Sequence, residues 1–131
     1  MKKDTEEIIK LAEDNLVSAK KVLEIGVNRI SCFLAQQAIE LFLKAFLTEK
    51  NVFNPKKHKT HNLRFLIKEC KKLDKDFESL EGLKEIDKIS SYAVLARYDA
   101  KFSEVISEQE AKEAIEIAEK VKEFVLKKLK L

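Results

Sequence analysis

Between Ile30 and Leu47 the chain runs Ile-Ser-Cys-Phe-Leu-Ala-Gln-Gln-Ala-Ile-Glu-Leu-Phe-Leu-Lys-Ala-Phe-Leu. On a 3.6-residue period the apolar side chains fall on nearly every side, so a helix over about 29–50 has no wide face to give to water. Such a helix has to be covered on most sides, by neighbours in its own bundle or by a second subunit as well. Ser31, Gln36, Gln37, Glu40 and Lys44 interrupt it, leaving no unbroken apolar run of about 18 residues. The start, Met-Lys-Lys-Asp-Thr-Glu-Glu, also lacks a signal-peptide core. The expectation is a cytoplasmic protein with no membrane partner.

The rest of the chain supplies the cover. Two Gly and one Pro in 131 residues favour long helices with few, short connections. Asp4 or Thr5 can cap a first helix, whose apolar face steps through Ile8, Ala12, Leu16, Ala19, Leu23 and Gly26. Gly26 is a helix stop and Asn28 a cap for the next helix. Residues 51–60, with Pro55 and Lys56-Lys57-His58-Lys59, form the one clear loop. His61 or Asn62 opens a short helix to Leu73, with Leu63, Leu66, Ile67 and Cys70 inward. A fourth helix from Ser79 shares Leu83, Ile86, Ser90, Ala93 and Arg97 on one face. Ser107 and Glu110 form a capping box for the last helix, which buries Ala111, Ala114, Ala118, Val121 and Val125. Residues 1–131 therefore predict a single all-α domain, an up-and-down four-helix bundle with an additional short helix.

Charged residues make up 37% of the chain, nearly all Lys and Glu. That pattern fits a thermophilic source and equally a helix-rich protein from an AT-rich mesophile. A net charge of +3 is compatible with an anionic partner without requiring one. Cys32 and Cys70 have no C-x-x-C spacing and there are only two His, so buried free thiols in a reducing compartment are expected and a metal site is not. No Gly-rich phosphate loop, D-x-D pair or Ser/His/Asp set stands out, and no cofactor is implied.

The polar residues on the second helix require an account, because burying one unpaired costs about 1–3 kcal/mol. Gln37 is either a core amide bonded to another helix or an interface amide. Gln36, Glu40 and Lys44, spaced i, i+4, i+8, form one stripe: an exposed ion pair, or a cleft wall meeting the fourth helix. Arg97, placed by its spacing at the end of an inner face, is either a salt-bridge partner of Glu40 or an anion binder. Tyr92 and Tyr98 beside it are packed aromatics or donors. His61 either starts a helix or joins Lys56, Lys57, Lys59 and Arg64 in a basic entrance suited to phosphate.

Cys-Phe-Leu-Ala-Gln-Gln-Ala-Ile-Glu-Leu-Phe-Leu-Lys-Ala at 32–45, His61-Asn62-Leu63 with Leu66, and Ala96-Arg97-Tyr98 together resemble the HEPN family (higher eukaryotes and prokaryotes nucleotide-binding domain), in its stand-alone prokaryotic form. The resemblance spans nearly the whole chain. It implies a four- to five-helix bundle that commonly forms homodimers. It also implies a gene neighbour encoding a minimal nucleotidyltransferase, in a pair resembling a toxin–antitoxin system. Several branches are metal-independent ribonucleases with an Arg-x4–6-His motif. Arg97 matches its arginine, but Phe102, Ser103 and Glu104 stand where the histidine belongs, so the usual group for handling the 2′-hydroxyl proton is missing. The resemblance thus favours binding of a nucleotide or RNA phosphate by Arg97, Tyr98, Lys44, His61, Gln36 and Glu40, with no catalytic residue assigned. A ribonuclease with Arg97 on the phosphate and His61 assisting is the alternative. A third reading is a structural homodimer, whose interface a charge at Phe33 or Phe42 would disturb.

Overall fold

The computed structural model describes residues 1–95 and 106–130. Among them are six α-helices and no strand: α1 (Lys3–Glu24), α2 (Asn28–Glu49), α3 (Leu63–Lys71), α4 (Glu78–Glu81), α5 (Ile86–Leu95) and α6 (Glu108–Lys128). A 3₁₀ turn at Lys75–Phe77 leads into α4. The all-α class follows directly.

The α2 helix is the hub, packed by α1, α6, α3 and α5. Cys32, Ala35, Ala38, Ile39, Phe42, Leu43, Ala45 and Leu47 are completely buried in it. By length and composition it could span a membrane, with a mean hydropathy of 1.4 over its most apolar window, but 67% of that window is buried inside the bundle. Most of its apolar surface is taken up by the core. Phe42 belongs to that core and cannot serve the subunit interface expected of it; Phe33 is only half-buried. The core continues through Leu63, Leu66, Ile67 and Cys70 of α3 and the five expected positions of α6.

Helix ends show where local signals held. The Ser107–Glu110 capping box is complete, and Gly26 takes a φ of 81°, a conformation costly for residues with a Cβ. Two expected caps are corrected. The first helix begins at Lys3, ahead of Asp4 and Thr5, and the Glu49 carboxylate at the end of α2 accepts the Lys2 backbone N–H at 3.0 Å. Asn28 lies inside α2, and its side chain donates to the Ile106 carbonyl at 3.1 Å, tying α2 to the approach to α6. The helix expected to run unbroken from Ser79 is two pieces: α4 ends at Glu81, and the chain turns through Gly82–Glu85 before α5. The break lets Leu80 and Ile86 both reach the core.

Candidate functional site

The Gln36, Glu40 and Lys44 stripe is not an exposed ion pair. Gln36 is fully buried, Glu40 is 4% exposed and the Lys44 side chain only 15%. A buried carboxylate needs partners, and among the described residues Glu40 has three. Its Oε2 meets Lys44 Nζ at 2.9 Å. Its Oε1 accepts Gln36 Nε2 at 3.1 Å and faces His61 Nδ1 at 2.7 Å. An ionised carboxylate only accepts, so Nδ1 carries the proton and a neutral His61 is the Nδ1–H tautomer. Gln36 also donates to the His61 carbonyl at 3.4 Å and accepts from Gln37 Nε2 at 2.6 Å. Gln37 is therefore bonded within its own helix rather than to another.

Among the described residues, the partner that Glu40 meets from beyond its own helix comes from the segment entering α3. Asn62 caps α3 by accepting the Phe65 N–H at 3.0 Å, and its own N–H donates to Thr60 Oγ1 at 3.1 Å. The Leu63 N–H donates to Ser90 Oγ of α5 at 2.8 Å. These bonds fix His61 between α2 and α5. Its side chain stays 39% exposed and lines an open cleft of about 420 Å³ with Thr60, Asn62, Asp87, Ser90 and Ser91. Larger depressions of about 550 and 530 Å³ beside Phe124 and Lys127 gather no buried polar set.

Two cations of the basic entrance, Lys57 and Arg64, are paired with acidic groups. Lys57 Nζ pairs with Glu69 at 2.8 Å. Arg64 binds Asp87 through Nε and the Glu81 carbonyl through a terminal nitrogen, each at 2.8 Å. His58 leaves the surface altogether, at 2% exposed. Its Nδ1 accepts the Asn54 N–H at 2.9 Å and its Nε2 meets Glu69 Oε1 at 3.0 Å. The ring stacks on Phe53 and leans on Phe65. Lys57 and Lys72 on Glu69, together with His58, hold its carboxyl down at about 2 despite burial. Sequence reading missed both residues. The available signal was that Glu69 sits one turn beyond Leu66 and beside Cys70, on the inward edge of α3.

Other groups resolve as packing. Burial pushes the Cys32 thiol up to about 11 and raises Cys70 further; both are free and inaccessible. Tyr92 is buried at 4% exposed and hydrogen-bonded to Cys32. Among the described residues no three His, Cys, Asp or Glu side chains gather as a metal set. Arg97 and Tyr98, like positions 102–104, lie outside the described residues.

Fold and site define a helical bundle whose hub helix carries a buried carboxylate, paired with a histidine at the mouth of a cleft. A profile of the HEPN domain matches residues 5–129, nearly the whole chain. The chain belongs to the HEPN domain family, whose members are generally concerned with nucleotides or RNA. No curated protein and no solved structure matches it.

Proposed function

We propose that this HEPN domain is a nucleotide- or RNA-phosphate-binding module, acting as a homodimer beside a minimal nucleotidyltransferase in a toxin–antitoxin-like pair. The observation that carries the reading is the Gln36–Glu40–Lys44–His61 network. Four polar side chains are assembled on an otherwise greasy hub, and only His61 is left substantially exposed, at the cleft. In the proposed site Arg97 supplies the phosphate contact, Lys44 offsets the Glu40 charge and Tyr98 offers a hydroxyl or a ring. Half-buried Phe33 and Leu41 on α2 support the homodimer, since a second subunit would complete their cover. Thermal-shift titration with nucleotides and short RNAs should raise the melting temperature of the wild type and not of Arg97→Ala. No shift with any of them, with the nucleotidyltransferase also absent from the gene neighbourhood, would leave the structural homodimer.

One observation favours the metal-independent ribonuclease as a second reading. Glu40 holds His61 by Nδ1, the arrangement that orients an imidazole for proton transfer through Nε2. With Arg97 on the scissile phosphate, the pair would take the place of the missing motif histidine. RNA incubated with the protein in EDTA separates the two: intact RNA supports binding alone. Cleavage lost in both Arg97→Ala and His61→Ala supports the enzyme.

A further inference from the structure

The loop that carries His61 is closed by the other histidine. His58 Nδ1 accepts the Asn54 N–H at 2.9 Å, and the His58 N–H donates to the Asn54 carbonyl at 2.7 Å, so the five residues 54–58 fold into one tight unit. Asn54 Oδ1 accepts the Lys56 and Lys57 N–H groups inside it. A nitrogen that accepts a backbone N–H carries no proton, so His58 is neutral and donates from Nε2 to Glu69 Oε1. Glu69, fixed further by Lys57 and Lys72, belongs to α3. The ring is thus bonded at one nitrogen to the loop and at the other to the helix that the loop must reach. Three residues on, His61 is delivered to Glu40.

We propose that His58 is a positioning residue: its two-sided bond between Asn54 and Glu69 sets the loop so that His61 presents Nδ1–H to Glu40. Two bonds act through one rigid ring, so the loop has a single register. His61 follows too closely to swing independently, because Thr60 and Asn62 are themselves tied into the α3 cap. The usefulness of that placement rests on the binding reading above; the placement itself does not.

The chain has two histidines, so imidazole NMR resolves each without ambiguity. Nitrogen and carbon shifts of the wild-type rings should report opposite tautomers, Nε2–H for His58 and Nδ1–H for His61. Two variants then separate positioning from space-filling. His58→Phe keeps an aromatic ring between Phe53 and Phe65 but has no polar group, and His61 should shift from the Nδ1–H form toward the Nε2–H form that prevails in free imidazole. His58→Gln loses the ring but keeps an amide able to donate to Glu69, and should retain most of the native His61 signal. A packing role predicts the reverse order, and that order would overturn the proposal. Should His58→Phe not fold, the wild type decides: Nδ1–H at His58 or Nε2–H at His61 ends the argument. The readout uses no ligand, so native tautomers in a protein that binds no nucleotide or RNA would defeat the functional reading and leave the positioning role intact.

Discussion

The two histidines sit in clusters of the same chemistry with opposite exposure. His58, Glu69, Lys57 and Lys72 form one; His61, Glu40, Lys44 and Gln36 form the other. The His58 side chain is 3% exposed and both ring nitrogens are engaged inside the loop and α3, whereas the His61 side chain is 39% exposed at a cleft. In the first cluster the carboxylate lies on the inner edge of a short helix, and its lysines remain more than half exposed. In the second it lies within the hub helix, and its lysine is itself nearly covered. The difference teaches that residue type does not separate a sealed architectural histidine from one that reaches a cleft; burial of the ring does.

The comparison can be broken most forcefully at the hub. Glu40→Leu strands Lys44 and the Gln36 amide in a covered site, and should cost about 3 kcal/mol in urea unfolding; a loss below about 1 kcal/mol would show that Lys44 escapes to water. Glu69→Gln should cost about 2 kcal/mol at pH 7, since its lysine partners reach solvent and only hydrogen bonds to a charged group are weakened. The Glu69 carboxyl is depressed in the folded state, so its contribution is complete above about pH 4.5 and is lost as the pH falls toward about 2. Across that window the stability gap between wild type and Glu69→Gln should close, which a urea series at pH 7, 4 and 2.5 would check. Asn62→Ala removes the α3 cap lying between the clusters and should cost about 1 kcal/mol, read by thermal melting. The smallest stability effect, about 1 kcal/mol or less because water entering from the cleft can replace the lost hydrogen bond to Glu40, is expected for His61→Ala, while nucleotide or RNA stabilisation is lost. A large destabilisation with binding retained would exchange the roles of the two histidines.

Much of the fold was legible because it is written locally. Apolar spacing placed the inner faces of α3 and α6 and the middle of that of α1 (Ala12, Leu16 and Ala19, with Thr5 and Ile9 buried in place of Ile8, Leu23 and Gly26), and the Ser107 capping box marked where α6 starts. Of the site, the i, i+4, i+8 stripe named Gln36, Glu40 and Lys44, and the helix-start position singled out His61. What joins them was not legible, because their partnership depends on how the 51–62 loop closes. Asn54 and His58 look like ordinary loop residues until the fold sets them against Glu69.

By itself, then, the sequence determined the all-α class and the hub position of α2, consequences of side-chain periodicity and short-range capping, and its motifs carried the resemblance to the HEPN family. Only the tertiary structure decided that α4 and α5 are separate, that Phe42 is core, that one histidine is sealed and that the other meets Glu40. Those outcomes turn on contacts between residues far apart in the chain, whose free energy depends on burial and partner geometry that no local spacing encodes.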